Sequence, residues 1–222
     1  MGALLVPNLG IPVHSIFCVG RNYAAHAREL KNELPGEPVI FSKPISSVCF
    51  SGDRLVIPSV SERVDHEVEI VVVLGRGGKK IPESEALGFV AGYGIGIDFT
   101  ARDLQDAAKK KSLPWTVSKG FDTFAALGGF VPAPQVPNLS AIEFEIQVNG
   151  QVRQSGKAAE MLFSVPKIIS FLSRVFTLSP GDLIFTGTPE GVAPLREGDE
   201  IFARILGHSA TLNLGVIREK GD

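Results

Sequence analysis

The chain has 222 residues, of which 44% are hydrophobic and 21% charged, and this composition is ordinary for a globular protein with a buried core. A formal net charge of -2 provides no basic field, so we expect neither nucleic acid nor a membrane surface as a partner. The two cysteines lack metal-binding spacing, which argues against a disulfide scaffold or a thiolate zinc site and favours a reducing, cytoplasmic location.

The chain is expected to form one domain. Residues 1–15 contain Pro7 and Pro12 and lack the basic start of a secretory signal, so we interpret them as a short N-terminal extension. No apolar run approaches the ~20 residues that a membrane-spanning helix needs. Residues 16–222 are then expected to fold as a single domain, within the size that one β-rich domain can reach.

Short β-branched and aromatic runs dominate the chain. Its 24 Gly and 15 Pro are spread between these runs, which favours many strands and turns over long helices. Asn149-Gly150, between two such runs, predicts a type I′ hairpin turn. The predicted strands, in chain order, are SIFCVG, PVIFSKP, RLVIP, HEVEIVVVLG, FVAGYGIGID, EFEIQV, QVRQSG, DLIFTG and EIFARIL.

Helical patterns occur in NYAAHARELKNE, TARDLQDAAKKK and SVPKIISFLSRVF. In the second segment Thr100 and Asp103 have the spacing of a capping box, and in the third Pro166 falls in the first turn. These helices are too few, and the hairpin signals too strong, for a parallel doubly wound sheet. The predicted fold class is therefore α+β and β-rich, a mixed β-sandwich roll with a few helices.

Three carboxylates form the central chemical pattern. Glu67 and Glu69 in DHEVEIVVVLG point to the same face of a strand and repel each other, which a cation or a raised pKa must offset. A solvated strand edge would explain the same alternation. Asp98 adds a third carboxylate after GYGIGI, where glycines let other backbone approach closely. Three oxygen donors favour an octahedral Mg²⁺ or Mn²⁺ site.

The helical segment after Asp98 carries residues that could hold a substrate. Arg102 and Gln105 share a helix face, and Arg102 could bind a carboxylate through two guanidinium nitrogens. The alternative is a surface ion pair of Arg102 with Asp98, Asp103 or Asp106. The basic run Lys109 to Lys111 is interpreted as a solvated helix end.

Two further signals lie elsewhere in the chain. His26 and Glu29 are three residues apart in the first predicted helix, so Glu29 can orient the imidazole and favour its protonated form, as in a general-base dyad. A surface pair without function is the alternative. Residues 186–191, TGTPEG, predict a tight turn whose hydroxyls and amides could bind an anion, and a plain loop is the alternative. Lys119 in VSKGFD carries no information by itself.

Taken together, these segments resemble one known family. RNYAAHARE, FSKP, DHEVEIVVVLG, GYGIGIDFTARDLQ, LPWTVSKGFD, VNGQVRQSG and IFTGTPEGV are similar to the fumarylacetoacetate hydrolase family over nearly the whole chain. The chain looks closest to the short, single-domain branch that contains acylpyruvate hydrolases and oxaloacetate decarboxylases. This resemblance implies a mixed β-sandwich roll, a homodimer, a Mg²⁺ or Mn²⁺ cofactor and a small 2-oxo-acid substrate.

The resemblance also implies a role for each matching residue, with His26 and Glu29 on a lid helix and Lys119 close to the metal. The implied set comprises metal ligands Glu67, Glu69 and Asp98, catalytic residues His26, Glu29 and Lys119, and substrate-binding residues Arg102, Gln105 and Thr188.

These residues are compatible with three functions. The first, which we expect, is metal-dependent hydrolysis of a C–C bond in an acylpyruvate such as acetylpyruvate or fumarylpyruvate, with water activated by His26. The second is decarboxylation of oxaloacetate, or isomerisation of a 2-hydroxyhepta-2,4-diene-1,7-dioate-type substrate, at the same site without an attacking water. The third is a non-catalytic, metal-binding interaction protein, against which His26 and Glu29 argue.

Overall fold

The computed structural model describes residues 3–29 and 33–220. It is a mixed, strand-rich α+β fold, as predicted. Its α-helices are α1 (Ala24–Glu29), α2 (Arg102–Lys110), α3 (Thr116–Lys119) and α4 (Val165–Val175). Its strands are β1 (Ile16–Gly20), β2 (Val39–Lys43), β3 (Val48–Phe50), β4 (Arg54–Ile57), β5 (Val64–His66), β6 (Val68–Leu74), β7 (Val90–Asp98), β8 (Thr100–Ala101), β9 (Ala125–Pro132), β10 (Glu143–Val148), β11 (Gln151–Lys157), β12 (Leu183–Phe185), β13 (Ala193–Pro194), β14 (Glu200–Ile205) and β15 (Thr211–Arg218).

Within these residues the strands form three sheets. A seven-stranded sheet has the order β2-β1-β12-β6-β7-β9-β3, a five-stranded sheet the order β11-β10-β14-β15-β4, and a small sheet the order β13-β5-β8. In the largest sheet β1 pairs with β12, and β3 with β9, in parallel, whereas β6 and β7 are antiparallel. Since β5 leads directly into β6, the small sheet and the large sheet meet at Glu67.

The central strand β6 is buried along its whole length. Val68, Ile70 and Val72 belong to the main core, whereas Val71 and Val73 pack in a second core on the other side of the sheet. This strand has no solvent face, so the alternating pattern does not mark a half-exposed edge. Both of its surfaces are covered, which explains the unbroken apolar run that follows Glu69.

Every predicted strand is confirmed, with small shifts at the ends. The hairpin turn is also confirmed, since Asn149 and Gly150 have φ angles of 53° and 75° and connect the antiparallel strands β10 and β11. The strands that the sequence did not predict are short or rich in glycine and alanine. They are β3, β5, β8, β9 and β13, and the sequence also missed the longer strand β15.

All three predicted helices are present, but the predicted capping box is not. In α4 the Ser164 hydroxyl accepts a hydrogen bond from Lys167 N, and a proline lies in the first turn. In α1 the helix spans Ala24–Glu29, and residues 30–32 of the predicted segment lie outside the described residues. The capping box was wrong, because Asp103 accepts hydrogen bonds from Ser61 Oγ and Glu62 N instead. None of the helices described combines the length and the apolar character that crossing a bilayer requires.

Close packing explains the glycine run before Asp98. A Cβ added at Gly96 would lie 2.5 Å from Val71 Cγ2 and 2.9 Å from the carbonyl oxygen of Ala126. Any larger residue would push β6 and β9 away from β7 at the position next to the carboxylates. The glycines therefore fix the strand spacing that places Asp98, as the sequence indicated.

Candidate metal centre and active site

Three buried carboxylates meet where β6 begins and β7 ends. Glu67 lies between β5 and β6, Glu69 lies in β6, and Asp98 ends β7. The antiparallel register pairs Val68 with Ile97, and Asp98 N donates to the Glu67 carbonyl at 2.8 Å. One oxygen from each carboxylate lies within 4.8 Å of the other two. Their exposures of 6%, 2% and 1% exclude a solvated strand edge.

Lys119, at the end of α3, joins two of these carboxylates. Its Nζ donates to Glu67 Oε2 at 2.8 Å and to Asp98 Oδ2 at 2.7 Å. Burial disfavours the charged ammonium, but Asp98 and Glu67 outweigh it and raise the pKa of Lys119. Burial also opposes ionisation of Glu67, yet Lys119 and Arg102 hold the pKa of Glu67 well below its usual range. Both groups are therefore charged in the folded protein.

Lys43 is a second buried lysine at the site, and the sequence did not indicate its role. Its Nζ donates to the carbonyls of Phe99 at 3.1 Å, Phe124 at 2.9 Å and Lys119. It also lies 2.7 Å from Asp98 Oδ1. That oxygen nevertheless has no hydrogen-bond partner among the described residues. The contact with Asp98 is a buried ion pair, and a carboxylate oxygen has a second lone pair that could bind a cation.

Glu69 forms no ion pair with any described residue. Among the described residues, its only hydrogen bond comes from Gly187 N, which lies 2.7 Å from Glu69 Oε2. Burial, followed by the charges of Asp98 and Glu67, raises the pKa of Glu69 well above its usual range. A divalent cation between the three carboxylates would supply the missing positive charge. The donor set consists of carboxylate oxygens, which fits Mg²⁺ or Mn²⁺.

Arg102 is fixed in the wall of the site by three neighbours. Its Nε donates to Asp65 Oδ2 at 2.8 Å, its Nη1 to Gln105 Oε1 at 2.7 Å, and its Nη2 to Glu67 Oε1. The alternative of a surface pair with acidic residues of α2 is therefore wrong, because the partners come from β5 and Glu67. Gln105 Oε1 is occupied by Arg102, which leaves the amide nitrogen of Gln105 as the donor for a ligand.

His26 and Glu29 connect α1 to the turn at residues 186–191. His26 Nδ1 lies 3.4 Å from Glu29 Oε2, and Gly191 N donates to the same carboxylate at 3.1 Å and 3.3 Å. The His26 side chain is only 6% exposed, whereas that of Glu29 is 35% exposed, so the imidazole is buried and its carboxylate partner lies at the surface. Burial lowers the pKa of His26 and exceeds the opposite effects of Glu67 and Glu29. Glu29 does favour the protonated form, as predicted, but burial outweighs it and holds the pKa of His26 below its ordinary value.

The turn at residues 186–191 binds an anion of the protein itself. Gly187 N donates to Glu69, as described above. Thr188 Oγ1 donates to the Val68 carbonyl at 2.8 Å and accepts from Gln154 Nε2 at 2.8 Å. The turn is therefore not a plain loop, since it positions one of the three carboxylates.

All predicted site residues except Glu29 line one cavity. Six further residues line it that were not among the predicted site residues: Val19, Gly20, Arg21, Phe41, Lys109 and Trp115. Lys109 was interpreted as part of a solvated helix end, and this was wrong. It is half-buried, and its Nζ lies 5.7 Å from the centre of the Trp115 ring.

Removing the charge of Lys43 should destabilise the fold. The change Lys43→Met leaves Asp98 and three carbonyls without a buried cation, so we expect the free energy of unfolding to fall by about 3–5 kcal/mol. Lys157→Met is the matched control, because Lys157 pairs with Glu143 at 2.6 Å with exposures of 55% and 46%. Solvent screens this exposed pair, so its loss should change the free energy of unfolding far less. Urea unfolding in chelator measures both, and equal losses would contradict the role given to Lys43.

Comparison with known proteins agrees with this geometry. Residues 15–220 match the family domain described as fumarylacetoacetate (FAA) hydrolase C-terminal. The mitochondrial oxaloacetate tautomerase of Mus musculus is 46% identical over 193 residues, which cover 87% of each chain. The mitochondrial oxaloacetate decarboxylase of Dictyostelium discoideum is 45% identical over 206 residues, 92% of this chain and 94% of that protein.

A solved structure of similar shape carries a metal. Fumarylpyruvate hydrolase from Pseudomonas aeruginosa, crystallised in complex with Mn²⁺ and pyruvate, has a TM-score of 0.90 and 38% identity. The match covers 98% of this chain and 96% of that one. With the family domain spanning residues 15–220 and relatives this similar along most of their length, the chain belongs to the fumarylacetoacetate hydrolase family.

Proposed function

We propose that the protein is a Mg²⁺- or Mn²⁺-dependent enzyme that hydrolyses a C–C bond in an acylpyruvate-type 2-oxo acid. The observation that carries this proposal is the combination, in one cavity, of a carboxylate triad lacking one positive charge and a buried, neutral imidazole. The first feature calls for a cation, and the second provides a base. A non-catalytic metal-binding protein would need no such imidazole.

Glu67, Glu69 and Asp98 would hold the metal. When bound, the ion would supply a fixed positive charge that makes development of negative charge on the substrate less costly. The Pseudomonas aeruginosa relative contains Mn²⁺ together with pyruvate, which supports both a metal and a 2-oxo-acid ligand here. We propose that Mg²⁺ and Mn²⁺ are both accepted, because an all-oxygen donor set distinguishes poorly between them.

The basic and polar wall of the cavity would orient the substrate carboxylate. Arg102 is held rigid by Asp65 and Glu67, so it presents its guanidinium edge without further loss of side-chain freedom. The free amide nitrogen of Gln105 donates beside it, and Lys119 places a charged ammonium next to two carboxylates. Thr188, fixed by Val68 and Gln154, borders the same space.

His26 would remove a proton from the attacking water. A carboxylate can only accept, so the contact with Glu29 assigns the proton of the neutral ring to Nδ1 and leaves the lone pair on Nε2. Nε2 is then the atom that takes the proton, while Glu29 stabilises the imidazolium that forms. Because burial already keeps the ring neutral, no proton must be lost before the reaction begins.

A second candidate function is tautomerisation or decarboxylation of oxaloacetate. Two relatives with these activities are 46% and 45% identical to this chain, more than the 38% of the fumarylpyruvate hydrolase. Both reactions could use the same metal and the same carboxylate-binding residues to hold the 2-oxo acid. So could the isomerisation of a 2-hydroxyhepta-2,4-diene-1,7-dioate-type substrate. None of them requires an attacking water. Tautomerisation and isomerisation still move a proton and could use His26 as the base, so His26 separates only decarboxylation from hydrolysis.

We also propose that the protein forms a homodimer. The support is the family resemblance and the prevalence of two-fold symmetric dimers among soluble oligomers. Light scattering at micromolar concentration tests this directly.

Removal of the metal should abolish activity. We expect turnover of a 2-oxo acid to disappear in excess chelator and to return with Mg²⁺ or Mn²⁺, and less with Zn²⁺, because hard ions suit oxygen donors. The variant Glu69→Gln should bind Mn²⁺ more weakly in a calorimetric titration. Glu85→Gln, at an exposed position, is its control. Full turnover in chelator would contradict the metal assignment.

Loss of the imidazole should separate hydrolysis from decarboxylation. For His26→Ala we expect acetylpyruvate hydrolysis to fall by about 10²–10⁴-fold, because general-base catalysis is lost. Oxaloacetate decarboxylation, measured on the same metal-saturated preparation, should fall less, and Glu29→Gln should change both rates in the same direction.

In the unmodified enzyme the acidic limb of the pH profile for hydrolysis should lie below the ordinary histidine pKa of about 6.5, because burial lowers the pKa of His26. Undiminished hydrolysis in His26→Ala would leave oxaloacetate chemistry as the better proposal.

Two further cations in the cavity favour a substrate with a second carboxylate. Arg21 and Lys109 are half-buried there, and within the described residues the nearest acid to Lys109 Nζ is Asp106 at 3.9 Å. For Arg21→Gln or Lys109→Gln we expect kcat/KM for fumarylpyruvate or oxaloacetate to fall about ten-fold or more, since a charge-assisted hydrogen bond is lost. Acetylpyruvate, which has one carboxylate, should be little affected. Lys110→Gln, one residue further and exposed, is the control. An equal loss for acetylpyruvate would contradict this assignment.

A further inference from the structure

A second cavity lies on the outer side of the small sheet, beside β5 and β13. It measures about 420 Å³, and none of its lining residues lines the candidate active site. The hairpin turn at Asn149 and the residues that follow β13 frame its opening. The side chains that matter for binding are His66, Arg153, Arg196 and Asp199.

The cavity carries an excess of positive charge. Arg153 and Arg196 are exposed on its walls, and neither forms an ion pair with a residue that the structure describes. Asp199 is the acidic side chain lining this space, and its carboxylate accepts from Asn149 Nδ2 at 2.8 Å and Arg196 N at 2.7 Å. Because these donors already occupy Asp199, the two guanidiniums remain available to an anion from solution.

His66 adds a requirement that the arginines do not impose. The residue is 1% exposed, and its Nδ1 lies 2.8 Å from Gln154 Oε1. The Gln154 amide is fixed in orientation, because its nitrogen donates to Thr188 Oγ1 at 2.8 Å and to the Pro189 carbonyl at 2.9 Å. The oxygen of Gln154 must therefore accept, which assigns the imidazole proton to Nδ1. His66 Nε2 has no partner among the described residues and, in the neutral ring, is an acceptor.

We infer that this cavity is a binding site for a small oxyanion that carries a hydroxyl group, such as hydrogen phosphate or a 2-hydroxy carboxylate. The oxyanion accepts hydrogen bonds from Arg153 and Arg196, and its hydroxyl donates to His66 Nε2. Sulfate has the size and charge of hydrogen phosphate but no proton at neutral pH, so it cannot satisfy the imidazole. The site therefore distinguishes hydrogen phosphate from sulfate by the one hydrogen bond that a hydroxyl donates to His66 Nε2.

The bound anion would be connected to the candidate active site by a continuous set of hydrogen bonds. From His66 the connection passes through Gln154 to Thr188, which lines the active-site cavity. Gln154 Oε1 also accepts from Val68 N at 3.1 Å, and His66 and Val68 flank Glu67 in the chain. The site is thus placed to influence the segment that carries the carboxylates.

Calorimetric titration of the full chain tests the inference without relying on its catalytic activity. Inorganic phosphate, lactate and sulfate are titrated separately into metal-free protein at neutral pH and constant ionic strength. We expect saturable binding of phosphate, lactate or both, and at least about ten-fold weaker binding of sulfate, which corresponds to one lost hydrogen bond to a buried acceptor. Absence of binding for phosphate and lactate, or sulfate binding as tight as phosphate, would overturn the inference.

Arginine variants locate the binding site. The exposed positions allow Arg153→Gln and Arg196→Gln without disturbing the core, and each should weaken phosphate or lactate binding about ten-fold or more. Arg174→Gln is the matched control, because Arg174 is an exposed residue of α4 outside the cavity. If phosphate binds the double variant Arg153→Gln/Arg196→Gln as tightly as the unmodified protein, the anion occupies another site and the inference is wrong.

Discussion

The fold depends on charge compensation in a dry interior. Glu67, Glu69 and Asp98 are brought together by the register of two central strands, where burial strongly disfavours isolated charges. Lys119 and Arg102 compensate Glu67, and Lys43 and Lys119 compensate Asp98. Among the residues that the structure describes, Glu69 is left with a backbone amide alone. The metal that we propose is therefore the component of the charge balance that the polypeptide does not supply.

This compensation also organises elements that are distant in sequence. The cations come from β2, at the edge of the same sheet, and from α2 and α3, so buried ion pairs connect the edge strand and both helices to the central strands. Buried ion pairs contribute little net stability compared with apolar packing, because desolvation offsets most of their attraction. Their value here is geometric, since they hold donors and acceptors at fixed positions around the cavity before a ligand arrives.

The sequence predicted those parts of the site that depend on local periodicity. Spacing alone placed Glu67 beside Glu69 and Arg102 beside Gln105, and family resemblance added Lys119 and Thr188. It did not reveal Lys43, whose partners are carbonyls brought near by the tertiary fold. Helical spacing revealed the effect of Glu29 on His26 but not the burial that outweighs it and lowers the pKa of the imidazole. The capping box failed because Asp103 has better donors in the loop before β5.

The carboxylate of Glu29 serves two contacts at once. It lies against His26 Nδ1 and accepts from the amide of Gly191, so the imidazole is aligned by the same group that fastens α1 to the turn. Detachment of the helix would release the histidine from its orientation. Alignment of the imidazole and attachment of the helix to the turn therefore depend on one and the same carboxylate.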